Sequence, residues 1–148
     1  MNKAFIREPD DDGRRYCPKC GSLGTFVRSA PLETHILPEF RGRLGDSAWF
    51  CGYPPCEVAY FDPLGGLIRT AELRGPVYPK SDEAAICPCF DFTVADVELD
   101  AEAELPLRIR ELVVRSQSEA ARCGSLAADG QCCLTAVRRL YLKLKQNS

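Results

Sequence analysis

With 148 residues, 45% of them apolar and 27% charged, the chain has the balance of one ordinary domain or two small ones, not that of a disordered tail or a large deep-clefted enzyme. Nineteen Lys and Arg stand against 21 Asp and Glu for a net charge of -2, so the surplus of positive charge that a nucleic-acid binder carries is missing. Nine cysteines in a chain with one Met and one His direct attention to sulfur.

Before Arg15 the only apolar run is Ala4-Phe5-Ile6, followed by Asp10-Asp11-Asp12, which does not make a secretory signal. Nowhere is there the run of roughly 18 apolar residues that a membrane-spanning helix needs. A soluble, cytoplasmic protein is expected, with no nucleic-acid or membrane partner. In a reducing compartment an odd number of cysteines reads as metal ligands rather than as disulfides.

Residues 14–80 are read as a β-module. Short β-prone runs at 25–28, 48–51, 57–61 and 67–72, broken by Gly and Pro, predict a small antiparallel sheet. Residues 34–40 fit a short helix or an irregular crossover. A module of about 60 residues buries little apolar surface and commonly needs a metal to complete its stability. The Gly, the two prolines and the charges of 74–83 predict a linker, with the boundary near residue 80.

Residues 81–146 change to helical patterning. Thr93, with Asp96 three residues on, predicts an N-cap for a helix to about Glu104. Pro106 suits the first turn of a second helix with Ile109, Leu112 and Val113 on one face. Residues 124–130 read as a loop. A last helix over about 132–145 carries Val137, Leu140, Tyr141 and Leu144 at helical spacing, with Lys143 and Lys145 near its negative end. The expected class is α+β: a small zinc-bound antiparallel β-module followed by a three-helix cluster module.

The first sulfur group is Cys17-Pro18-Lys19-Cys20-Gly21 with Cys51-Gly52-Tyr53-Pro54-Pro55-Cys56. Two thiolates three residues apart, followed by a Gly that permits a tight turn, form a zinc knuckle, and with the second pair, whose four intervening residues include a Gly and two prolines, they supply the four sulfurs of a tetrahedral, redox-inert structural site. Cys17, Cys20, Cys51 and Cys56 are therefore the predicted zinc ligands. The sole histidine, His35, lies between the pairs, but four cysteines already satisfy zinc, so it reads as a surface or partly buried residue. The second group is Cys87-Pro88-Cys89 with Cys123 and Cys132-Cys133. Cys87 and Cys89 are too close for an ordinary knuckle yet can converge on one edge of a cluster. Thiolates at the start of the last helix gain from exposed backbone N–H groups and the positive helix end, donors that also stabilise an anionic iron-sulfur core. Either Cys132 or Cys133 can complete that set.

Cys87-Pro88-Cys89, Cys123 and Cys133 resemble the helical 2Fe-2S module of bacterioferritin-associated ferredoxins, with a ten-residue step from Cys123 to Cys133 that is longer than usual there. From about residue 15 to 142 the order of motifs resembles the amino-terminal domain of CopZ-type copper chaperones, in which a zinc site and a 2Fe-2S cluster share one domain. Aligning Cys133-Leu134-Thr135-Ala136 with that family's helix start favours Cys133 as the fourth ligand, beside Cys87, Cys89 and Cys123. The family's Met-x-Cys-x-x-Cys copper loop has no counterpart in these residues. The resemblance thus implies a non-enzymatic protein that transfers one electron to a redox partner, with reduction of Cu(II) to Cu(I) for a copper chaperone or copper-transport protein as one destination. An iron-sulfur carrier or scaffold and a zinc-ribbon adaptor are the alternatives.

Asp96, Glu98, Asp100, Glu102 and Glu104 read as a solvated acidic face rather than a catalytic pair, and Arg138, Arg139, Lys143 and Lys145 as a solvated basic one. Phe50, Tyr60, Phe61, Phe90 and Phe92 flank cysteines and are expected to shield metals from water. No phosphate loop, nucleophile elbow or Ser/His/Asp set is present.

Overall fold

The computed structural model describes residues 14–118 and 123–146; the side chains of Cys123 and Gly124 lie outside that description. Four short strands, β1 (Thr25–Val27), β2 (Ala48–Phe50), β3 (Val58–Phe61) and β4 (Leu67–Arg69), form one antiparallel sheet in sequence order. Phe26 pairs with Trp49 across β1 and β2, their rings 5.2 Å apart and edge to face, an arrangement aromatic pairs favour. Gly24 makes this corner possible: a Cβ there would lie 2.7 Å from Cζ of Phe61 and 2.9 Å from Cβ of Trp49.

Between β1 and β2 the chain forms helix α1 (Ser29–His35) and then a 3-10 segment, Pro38–Arg43. The expected crossover thus contains a helix that starts five residues earlier than the 34–40 stretch suggested. The fourth predicted run, 67–72, is a strand only to Arg69 and ends in a 3-10 turn, Thr70–Glu72.

The carboxyl-terminal half is helical. Helix α2 (Val94–Glu102) begins at the predicted cap, where Asp96 N–H donates to Oγ1 of Thr93 and Thr93 N–H donates to the Asp96 carboxylate. Helix α3 (Leu107–Ser116) follows Pro106, and α5 (Leu134–Gln146) closes the fold. The predicted loop 124–130 instead opens with one helical turn, α4 (Cys123–Leu126), which packs on α1. Asp100 departs from the expected solvated acidic face. Its fully buried carboxylate accepts hydrogen bonds from Ile109 N–H at 2.7 Å and Arg108 N–H at 3.4 Å, satisfying donors that the first turn of α3 leaves open. Lys145 Nζ donates to the Ala101 carbonyl near the negative end of α2.

Three buried clusters hold these elements. Val27, Leu32, Ile36, Phe50, Tyr60 and Ile68 fill the sheet side together with Ala128 from the far half. Ile86, Cys87, Phe92, Val97, Leu112, Cys133 and Val137 fill the helical side. Cys17, Cys51 and Cys56 pack with Val58 and Phe61. Each fully buried Leu, Ile or Val side chain contributes about 1.5–3 kcal/mol relative to exposure. Residues 74–83 do not behave as a free linker: Val77 is buried in the sheet-side core and Tyr78 packs against the helical one. Among the described residues no helix is long and apolar enough to cross a membrane.

Candidate metal centre

Cys17 and Cys20 sit on a tight turn. Cys17 N–H donates to Ser22 O at 2.8 Å, Gly21 N–H donates to Cys17 O at 2.8 Å, and Gly21 has φ of +78°, which an L side chain would resist. Cys51 continues β2, its N–H donating to Ala59 O at 2.8 Å. The prolines that follow turn the chain so that Cys56 N–H donates to Tyr53 O at 3.1 Å. Two turns, one before the sheet and one between β2 and β3, therefore face each other. An exposed Lys19–Glu57 ion pair bridges them.

The four sulfurs converge. Sγ of Cys20 lies 3.5 Å from Sγ of Cys51, Sγ of Cys17 lies 3.8 Å from Sγ of Cys56, and all four are within 4.8 Å of one another. A regular tetrahedron with Zn–S bonds of about 2.3 Å has S···S edges of about 3.8 Å, so the donor set fits zinc in both chemistry and size. Phe61 packs against this set, as expected of a water shield, whereas Phe50 and Tyr60 belong to the neighbouring sheet core.

The electrostatics of the set call for a cation. Burial pushes the Cys51 thiol up to about 12, only partly offset by the Tyr53 backbone hydrogen bond and the Lys80 ammonium, and burial raises Cys56 as well. At Cys20 burial also acts upward, but hydrogen bonds with Ser22, Cys51 and Cys17 together outweigh it and bring the thiol down to about 6. Crowded thiols of this kind ionise together only when a metal ion neutralises the accumulating charge.

His35 is not part of the set. Its Nε2 donates to the Leu126 carbonyl at 2.7 Å, which ties α1 to α4, and burial lowers its pKa below 6.5 against that hydrogen bond.

A second group of sulfurs lies in the helical core. Cys87 opens a turn in which Phe92 N–H donates to Cys87 O at 3.0 Å, Cys87 N–H donates to Phe92 O at 3.1 Å, and Asp91 takes φ of 55°. Cys87 is fully buried, Cys89 half-buried and Cys133 buried at 4% exposure, and all three belong to one packed cluster. The Cys87 thiol interacts with Cys133 and with Cys89, and these contacts, Cys133 first, bring it down to about 6 against burial. Cys133 caps α5, its carbonyl accepting from Val137 N–H at 2.9 Å. Cys132, one residue earlier, is exposed. The backbone of Cys123 begins α4, but its side chain lies outside the described residues. Among the described residues the first sulfur set is the only one with three or more ligating side chains inside a 4.8 Å shell.

Comparison with known proteins bears on the first of these sites. Residues 14–74 match the family model of the CopZ zinc binding domain. That CopZ-like segment contains Cys17, Cys20, Cys51 and Cys56, and it ends where the residues between the two halves begin. The X-ray structure of the Archaeoglobus fulgidus CopZ N-terminal domain superposes with a TM-score of 0.71 and 23% identity, covering 85% of this chain and 97% of that one. The likeness is one of fold, and it extends past the zinc binding segment into the helices. Curated proteins give no match. The protein thus carries a CopZ-like zinc binding segment with a four-cysteine metal site inside an α+β fold.

Two features escaped the sequence reading. Lys80, in the stretch read as a linker, donates from Nζ to Sγ of Cys51 and to the carbonyls of Tyr53 and Cys56. Tyr60 donates from its hydroxyl to Ala128 O at 2.6 Å, joining the sheet to the segment that leads to Cys133. The single signal for Lys80 is a cation directly after a proline in a Pro-rich stretch, and nothing local marks Tyr60.

Proposed function

We propose that the protein is a cytoplasmic, zinc- and 2Fe-2S-containing redox protein that transfers one electron. Cys17, Cys20, Cys51 and Cys56 hold a structural zinc ion. Cys87, Cys89 and Cys133, with Cys123 as fourth ligand, hold the 2Fe-2S group. The observation that carries this reading is the packing of Cys87, Cys89 and Cys133 in one cluster of the helical core, where the Cys87 thiol interacts with both of the others. The donor set fits such a group: thiolates alone, a thiol at Cys87 already inclined to ionise, and a helix start at Cys133 whose open N–H groups favour negative charge.

A 2Fe-2S group supplies a one-electron couple there. The chain's own residues do the rest. Cys133 at the cap of α5 anchors one side, and the tight turn from Cys87 to Phe92 holds the other. Phe90 and Phe92 pack against the thiols and exclude water, which sets the local dielectric and with it the potential. Cys89 is half-buried where Cys87 and Cys133 are buried, and its side gives a redox partner protein access. Resemblance to CopZ-type domains supports a copper-homeostasis setting, in which the electron reduces Cu(II) to Cu(I) for a copper chaperone or copper-transport protein.

Reductive titration of the anaerobically purified full chain tests this reading. The expected result is visible absorbance that bleaches with about one electron per chain and returns on reoxidation. Absorbance that is lost to an apo-acceptor protein under the same conditions assigns the chain to cluster transfer instead, and a colourless zinc protein assigns it to the adaptor class.

A further inference from the structure

The ammonium of Lys80 has three N–H donors, and three acceptors surround it: Tyr53 O at 2.7 Å, Cys56 O at 3.0 Å and Sγ of Cys51 at 3.5 Å. Two of these lie on the turn that presents the second pair of sulfurs, and the third is itself one of those sulfurs. The segment around Lys80 touches every cluster: Val77 is buried in the sheet core and Tyr78 packs against the helical core that contains Cys87. Ser81 N–H donates to Val77 O at 3.0 Å and closes this segment into a turn.

Zinc with four thiolates carries a net charge of about -2. An ammonium in hydrogen-bond contact with one thiolate offsets part of that charge, and a charge-assisted N–H···S bond is stronger to a thiolate than to a neutral thiol. Lys80 therefore binds the metal-loaded state more tightly than the metal-free one. By linkage, whatever Lys80 adds to zinc affinity, zinc adds to the ordering of the segment that Lys80 holds.

We infer that Lys80 is a positioning residue for the zinc centre, clamping Cys51 and the Tyr53–Cys56 turn, and that through it zinc occupancy orders residues 76–90, which carry Cys87 and Cys89. This rests on the zinc reading of Cys17, Cys20, Cys51 and Cys56. Zinc consequently has a role beyond holding its own knuckles, because it sets the approach of the chain to the second sulfur group.

The test compares the full-length wild type with Lys80→Met, which keeps the stem and removes the charge and donors, and Lys80→Arg, which keeps both. Zinc release to excess chelator should be about 10- to 100-fold faster in Lys80→Met, with Lys80→Arg returning most of the way to wild type. In the cobalt-substituted protein the sulfur-to-metal charge-transfer band should move to lower energy in Lys80→Met, since an unbonded thiolate gives up its electron more readily, a change that mere loosening of the fold would not produce. Hydrogen exchange over 76–90 should rise when zinc is stripped from the wild type and should already be raised in zinc-loaded Lys80→Met. If the wild type binds one zinc per chain, and release and band position in Lys80→Met match it within twofold and within error, the role of Lys80 is overturned while the zinc site stands. A wild type that takes up no zinc overturns both.

Discussion

Replacing Tyr60 by Phe removes one oxygen from the centre of the molecule and leaves the ring in place. The ring packs against Phe50 with centroids 5.4 Å apart, and the side chain is fully buried, so the substitution opens almost no cavity. What it does remove is the 2.6 Å bond to the carbonyl of Ala128, itself a buried residue at 8% exposure. Burial, with the Asp129 carboxylate adding to it, raises the hydroxyl pKa, so Tyr60 acts as a neutral donor throughout the working range. An acceptor left unpaired in such a place costs about 1–3 kcal/mol, since neither protein nor bulk water replaces the donor. For a chain near this length that corresponds to a melting temperature lower by roughly 2–4 °C per kcal/mol. Urea unfolding of the anaerobic, metal-loaded protein reads the effect as a lower midpoint at unchanged slope. Because Ala128 precedes the helix capped by Cys133, the same variant should also loosen hydrogen exchange over 126–133. A change in stability below about 0.5 kcal/mol, the size of an ordinary surface substitution, would refute the claim that this bond ties the sheet to the second sulfur group.

Three further outcomes follow from named contacts. Asp100→Ala should destabilise the chain by about 2–4 kcal/mol in the same unfolding assay, because it strips the buried acceptor from the first turn of α3, and Asp100→Asn should recover part of that loss. Cys133→Ser should abolish the visible iron absorption while leaving zinc bound, and Cys132→Ser, at an exposed position, should leave both metals in place; metal analysis and optical spectra of the two variants check this. His35 has its pKa lowered by burial from 6.5, so the unfolded chain binds the extra proton first and stability falls as pH drops through about 6.5 toward the lowered native value. Urea midpoints between about pH 7.5 and pH 5 should show that slope in the wild type and a flatter one in His35→Gln.

Much of the zinc site is legible in the chain because its chemistry is local. Cys17 to Gly21 is a turn whose geometry follows from a Gly at positive φ, and the prolines after Cys51 force the reversal that returns Cys56 to it. The strands and helices were readable for the same reason: alternation, a Thr93–Asp96 capping box and the periodic apolar face of α5 are each written within a few residues. The start of α1 was harder, since Arg28 provides no side-chain cap and Pro31 interrupts the pattern. Three errors share one origin. Asp100, Lys80 and the turn at α4 take their conformations from partners distant in sequence, namely the first turn of α3, the zinc sulfurs and α1. The sequence puts Asp100 in an acidic run that reads as a solvated face and Lys80 in a stretch that reads as a linker, and only the tertiary partners reverse those readings. The choice between Cys132 and Cys133 has the same character, because helical phase at the cap of α5, and not residue type, decides which sulfur turns toward Cys87.

The central claim is that two groups of sulfurs serve two different metals. Quantifying iron and zinc in the anaerobically purified full chain tests it most directly. The account predicts about two irons and one zinc per chain; a preparation containing zinc alone, with no iron regained on anaerobic reconstitution with iron and sulfide, would contradict it.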